Sequence, residues 1–230
     1  MSTPSVVSRG FRALADALLC GCLCICLLIA AMPVSAAESD TYKAPRWAFE
    51  FKGGQFKPDL EFYEDFYGSD KNTYFAIGGA YRFTNWLELG AEVGYSKDKG
   101  QGLLPNNGQL GGQVEYTLVP LTVFLNFRYD RTPNQLFVPY AGVGLATAWY
   151  RQKIDNQSDR EGRSDVGGAA RAGLQLLLNR IDTRGAATVS GGDRRFKAFL
   201  FLEGQVFKAE VDDIDLGGEI YLLGLRCEFD

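Results

Sequence analysis

The sequence predicts an all-β protein, an eight-stranded antiparallel up-and-down transmembrane β-barrel preceded by a cleavable signal peptide. Three observations predict it. Apolar residues alternate with polar or small ones at a period of two in eight segments after residue 46. The face opposite the apolar one is built from glycine, alanine and a few charges, where a soluble sheet would present Lys, Thr and Ser to water. Glycine (27 of 230 residues) and aromatics (13%) are both abundant, which suits strands and close backbone approach better than long helices.

The N-terminus sets the compartment. Arg9 and Arg12 precede the apolar stretch 17–31, which leads through Pro33 into Val34, Ser35, Ala36 and Ala37. A basic flank, an apolar core and a small-residue site make a secretory signal peptide cleaved after Ala36 or Ala37. The apolar run is shorter than the about 20 residues a spanning helix needs. The expected organisation is a signal peptide at 1–36, a short periplasmic segment at 37–46 and a barrel at 47–230. Four of the five cysteines leave with the signal, so Cys227 remains alone and no disulfide framework forms within the mature chain.

The strands follow in order. Segment 47–56 sets Trp47, Phe49 and Phe51 against Glu50 and Lys52, and 73–83 sets Phe75, Ile77, Tyr81 and Phe83 against Tyr74, Gly78 and Arg82. Segment 86–96 opposes Leu87, Leu89, Val93 and Tyr95 to Glu88 and Glu92. In 114–129, Leu121, Val123, Leu125, Phe127 and Tyr129 oppose Asn126 and Arg128, and Pro120 inside it predicts a bulge or irregular pairing. Segment 137–152 carries Val143, Leu145 and Trp149 against Tyr140 and glycines, and 168–178 carries Leu174 and Leu176 against Arg171 and Gln175. Segment 196–208 sets Leu200, Leu202 and Val206 against Phe199, Phe201, Glu203 and Gln205. The last, 218–229, sets Tyr221, Leu223, Leu225, Cys227 and Phe229 against Gly224, Arg226 and Glu228. A glycine-rich inner face makes room for long side chains in a narrow lumen, while the apolar face meets lipid.

Aromatics mark the strand ends at two levels. Trp47, Phe83, Trp86, Tyr129, Phe137, Phe196 and Phe229 form one expected girdle, and Phe56, Phe75, Tyr95, Tyr116, Trp149, Phe207 and Tyr221 the other. From a periplasmic N-terminus, the connections after strands two and four are short (84–86 and 131–135), whereas those after strands one, three and five are long. That alternation is the habit of outer-membrane barrels. The long stretch 179–195 departs from it, with one helical turn expected around 182–187.

The run Tyr81-Arg82-Phe83-Thr84-Asn85-Trp86-Leu87-Glu88-Leu89-Gly90 and the run Val138-Pro139-Tyr140-Ala141-Gly142-Val143-Gly144-Leu145 resemble hairpins of the small eight-stranded outer-membrane barrels of Gram-negative bacteria, the OmpA-like, OmpX-like and OmpW-like grouping. The C-terminal Gly224, Cys227 and Phe229 look like the signal read by the barrel-assembly machinery. The resemblance implies a fold, an outer-membrane location, a porin-like envelope protein surrounded by lipid and lipopolysaccharide, and that machinery as a partner in biogenesis. It transfers no activity.

Function is bounded mainly by exclusion. The chain has no histidine, which removes Ser-His and Cys-His nucleophile pairs and imidazole bases, and an enzyme is not expected. A pI of 5.1 supplies no basic field for nucleic acid. No cofactor or metal is expected, and the protein is expected to be a monomer. By parity the lumen holds Glu50, Glu88, Glu92, Glu203 and Glu228 with Lys52, Arg82, Arg128, Arg171 and Arg226, a balanced set expected to pair and fill the interior. A three-residue loop after Phe83 would place Arg82 directly opposite Glu88. The reading is a non-enzymatic barrel with a filled lumen, serving a structural or surface-interaction role. A narrow solute channel and a soluble periplasmic lipocalin-like carrier are the alternatives. Phe62, Tyr63, Phe66 and Tyr67 form a candidate surface binding patch or a fold-back over the barrel mouth. Asp212, Asp213 and Asp215 read as a solvated acidic loop, and 99–102 with 106–112 as flexible loop.

Overall fold

The structure, a computed structural model, describes residues 44–59, 69–103, 110–132, 134–154, 160–180, 196–211 and 214–230. The signal peptide, the Phe62, Tyr63, Phe66 and Tyr67 patch, Asp212, Asp213 and the helical turn expected at 182–187 lie outside the described residues.

Eight long strands close on themselves: β1 (Trp47–Pro58), β2 (Asn72–Arg82), β3 (Leu87–Leu103), β4 (Leu110–Arg128), β5 (Phe137–Ile154), β7 (Gly167–Leu177), β8 (Lys197–Phe207) and β11 (Gly218–Phe229). Three short strands decorate one end. These are β6 (Arg160–Arg163), which pairs antiparallel with the far end of β5, and the hairpin of β9 (Glu210–Val211) with β10 (Ile214–Asp215). The sheet order β4-β3-β2-β1-β11-β8-β7-β5-β6, with β4 also paired to β5, makes a closed antiparallel barrel. Closure gives every long strand two hydrogen-bonded neighbours, the condition for burying backbone in lipid. No helix among the described residues is long and apolar enough to cross a membrane.

The period of two sorts the wall without a break. In β2 and β11 buried and exposed positions alternate residue by residue. Phe51, Ile77, Val143 and Leu202 are more than half exposed, while Glu88, Phe124, Phe199 and Arg226 are almost wholly enclosed. This inverts a soluble protein, because the apolar set lies outside and the charged set inside.

Several expectations are corrected. Phe56, Tyr116 and Phe207, assigned to the outer aromatic level, point into the barrel and are buried. Their even or odd positions already matched the inner face of their strands, and strand parity prevails over proximity to a strand end. Residues 99–102, expected as loop, continue β3, which runs with β4 and β5 well beyond the other strands. Pro120 introduces no bulge, but the pairing with β3 is irregular there as expected: it skips Gly94 and Tyr95, resuming from Val93↔Leu121 at Ser96↔Leu118 in the same register, while Pro120 faces Ala148 on β5. The one register shift in that ladder lies higher, between Gln101 and Leu103. After β7 the chain makes a 3-10 turn at Leu178–Arg180, where strand had been expected to reach Leu178. Asn179 fixes the start of β8 by accepting from Ala198 N at 2.6 Å and donating to Phe196 O at 3.1 Å.

Candidate functional site

The lumen is the candidate site, and inward parity builds it. Six cations (Lys52, Arg82, Arg128, Arg171, Lys197, Arg226) and six carboxylates (Glu50, Glu88, Glu92, Asp130, Glu203, Glu228) are buried there. Ten of these were expected; Asp130 and Lys197 were not. Lys197 shares the parity of Phe199 and could have been read from it. Asp130 lies two residues past the end of β4, where alternation no longer carries a signal.

The groups form one connected system. Lys52 Nζ, on β1, reaches Glu203 at 2.7 Å, Glu50 at 3.2 Å and also Glu92. Arg171, on β7, lies 3.5 Å from both Glu92 and Glu203 and 3.7 Å from Glu50, and its Nε donates to Asn126 at 2.8 Å. Its guanidinium stacks 4.3 Å from the Phe124 ring centre, which holds the plane in place. Tyr140 and Gln205 donate to Glu203 at 2.6 and 2.7 Å, and Gln205 donates to Glu92 as well.

A second tier lies nearer the short-loop end. Arg226 donates to Glu88 and Glu50 at 2.5 Å each and to Glu228 at 2.8 Å. Arg128 reaches Glu88 at 3.3 Å and also pairs with Glu228. Arg82 reaches Glu228 at 2.8 Å and Asp130 at 3.3 Å, and Lys197 lies 3.8 Å from Asp130. Glu50 joins the tiers, because Lys52, Arg171 and Arg226 all converge on it. Breaking one member leaves a buried charge uncompensated, at a cost of about 3–5 kcal/mol.

Above the charges sits a layer that the sequence reading did not separate from them. Phe56, Tyr74, Tyr116, Leu118, Phe124, Phe207, Ile220 and Leu222 form a buried cluster with small alanines. Phe56 stacks on Phe207 at 5.8 Å and meets Tyr74 at 6.1 Å. Gly94 makes this possible, since a Cβ there would fall 1.8 Å from the Tyr74 hydroxyl. The segment carrying β9 and β10 folds onto the layer and contributes Ala209 and Leu216. Asp215 Oδ1 holds the turn by accepting from Gly217 N at 2.8 Å and Ala209 N at 3.2 Å, and Asp59 N donates to Gly217 O at 2.9 Å.

Outside, Trp47, Phe83, Trp86, Phe137 and Phe229 at one end, and Phe75, Tyr95, Trp149 and Tyr221 at the other, are exposed; Tyr129 and Phe196 are half-buried. Cys227 carries a free thiol on this outer face, beside Phe229 in the alternation, whereas Gly224 faces inward against the Phe201 ring. Among the described residues no cluster of His, Cys, Asp and Glu could hold a metal ion.

A family model described as the outer membrane protein beta-barrel domain matches residues 23–186. The chain belongs to that family. The outer-membrane barrel is similar to solved structures of the same class. One is the outer membrane protein OprG from Pseudomonas aeruginosa, at 14% identity and TM-score 0.57, covering 83% of this chain and 99% of that one. Another is Neisserial surface protein A, at 14% identity and TM-score 0.50, covering 80% of this chain and 97% of that one. At such identities the likeness is one of fold. No curated protein sequence matches the barrel. Family and fold together place the protein in the outer membrane of a Gram-negative envelope.

Proposed function

We propose that this barrel is a closed outer-membrane anchor, neither enzymatic nor conducting, whose role is structural or is exercised at its surface. The observation that carries the reading is the filling of the lumen by two different materials in series. A twelve-charge network spans the short-loop half, and the Phe56, Tyr74 and Phe207 layer, capped by Leu216, spans the other. A solute would have to break paired buried charges and then cross an apolar layer with no water to replace its hydration.

In this reading both termini and the short loops lie in the periplasm, and the extended β3–β4 hairpin and β6 stand on the cell surface. Trp47, Trp86 and Phe229 then belong to the inner aromatic girdle, and Tyr95, Trp149 and Tyr221 to the outer. Planar-bilayer recording of the purified barrel tests the proposal, with Arg171→Ala beside it. The expected result is a silent wild type. Discrete current steps in the wild type that change in Arg171→Ala would replace the closed anchor with the narrow-channel reading.

A further inference from the structure

Two features of the outer wall meet at one place. The first is a groove of about 770 Å³ that crosses the lipid-facing side of β8, β11, β1, β2 and β3 and ends against β4. Its floor is Gly53, which faces outward between Leu223 on β11 and Phe75 on β2, where every neighbour carries a bulky side chain. The groove ends at Tyr95 and Val119.

The second feature begins immediately beyond that end. Two residues further along β3 comes Lys97, then Lys99, with steps of about 6.6 Å. The ladders set Lys97 in line with Thr117 and Arg151, and Lys99 in line with Glu115 and Lys153. Arg163 stands beside Trp149 in the β5–β6 pairing. All five cations are exposed and share the parity of the lipid-facing residues below them, so they continue the lipid-facing surface upward. Among the described residues Glu115 lies 2.7 Å from Lys97 and 3.9 Å from Lys99, Glu161 lies 4.0 Å from Arg151, and the exposed Asp165 follows two residues after Arg163. This cationic excess stands out in a chain whose overall formal charge is −4.

We infer that this sector binds an anionic phosphoglycolipid of the outer leaflet, with an acyl chain along the Gly53 groove and phosphate on Lys99, Lys153 and Arg163. The groove supplies apolar contact up to the aromatic level, where Arg163 stands beside Trp149, and the other four cations follow two to four residues above it at headgroup height. Long basic side chains lie along apolar surface and present their charge at that depth. A soluble anion would have no use for the groove, and a neutral lipid none for the cations. The inference rests on the orientation proposed above.

The test is native mass spectrometry of the detergent-purified barrel, titrated with bisphosphorylated lipid A and with its dephosphorylated form. Each variant is first checked for folding by its heat-modifiable mobility. The wild type is expected to bind the phosphorylated form about tenfold more tightly, and Lys99→Gln/Lys153→Gln/Arg163→Gln to abolish that preference while keeping the weaker binding. Gly53→Leu, which fills the groove, is expected to weaken both forms alike. Equal binding of the two forms by the wild type, or a preference that survives the triple substitution, overturns the inference. So does displacement of lipid A by equimolar inorganic pyrophosphate, which would mark a free-anion site. Outside labelling of Lys71→Cys on intact cells reads the orientation separately, so lost phosphate preference with intact labelling overturns this inference alone.

Discussion

Arg82 and Glu88 face each other directly in the β2–β3 ladder, yet each turns to a different partner, Arg82 to Glu228 at 2.8 Å and Glu88 to Arg226 at 2.5 Å. The three-residue loop 84–86, with Phe83 N donating to Leu87 O at 3.0 Å, fixes the register. It does not fix the ion pair. In a closed barrel inward side chains converge on the axis, so a long guanidinium meets carboxylates from across the lumen as readily as from the next strand.

A double-mutant cycle separates these two kinds of neighbour. Arg82 with Glu228 is expected to show a coupling of about 1–3 kcal/mol, and Arg82 with Glu88 a clearly smaller one despite their ladder contact. Urea unfolding of the barrel in lipid vesicles gives all the required stabilities. Equal couplings would mean that ladder proximity governs the network.

Arg226 should be the most sensitive member of the network. It serves Glu50, Glu88 and Glu228 together, so Arg226→Leu leaves three carboxylates short of a donor and is expected to cost about 3–5 kcal/mol. Arg226→Lys keeps the charge but loses the planar fork, and should fall between that variant and wild type. The temperature at which unboiled samples convert to the unfolded mobility reports both.

The sequence carries the barrel well because lipid and lumen impose opposite demands on alternate residues. Eleven of the twelve luminal charges follow from strand parity, Asp130 past the end of β4 being the exception, and so does the Arg82↔Glu88 register. Parity is blind to height along the strand. Phe56, Tyr116 and Phe207 were therefore misplaced on the outer face when position near a strand end was allowed to compete with it. The division of the interior into a charged half and an apolar half was not legible either. It arises from stagger between strands, which brings Phe56 of β1 beside Phe207 of β8, 151 residues away. The reach of β3 and β4 past the girdle was also hidden, since Gly100 and Gln101 resemble a turn until β4 pairs with them.

Two glycines that look alike in sequence should respond oppositely to alanine. At Gly94 the new methyl group would collide with the Tyr74 ring and hydroxyl, whereas at Gly204 nothing lies within 4 Å. Gly94→Ala is expected to destabilise the barrel by about 1–3 kcal/mol, through displacement of Tyr74 from the apolar layer. Gly204→Ala should be neutral or stabilising by up to about 1 kcal/mol, since it only removes backbone freedom from the unfolded chain. Urea midpoints that move together would show that Tyr74 swings aside without penalty.

The orientation can be read chemically because the described residues hold one thiol, Cys227, and offer exposed polar positions at each end. In a Cys227→Ser background, Lys71→Cys lies just before β2 at the long-loop end, and Thr132→Cys lies in the short β4–β5 connection. Both positions are exposed, so substitution leaves the wall intact. A membrane-impermeant maleimide added to intact cells is expected to label Lys71→Cys and to reach Thr132→Cys only after the outer membrane is permeabilised. The reverse pattern would put the termini and short loops on the cell surface. It would also move the cations beside Trp149 to the periplasmic leaflet, away from the glycolipid they are proposed to hold.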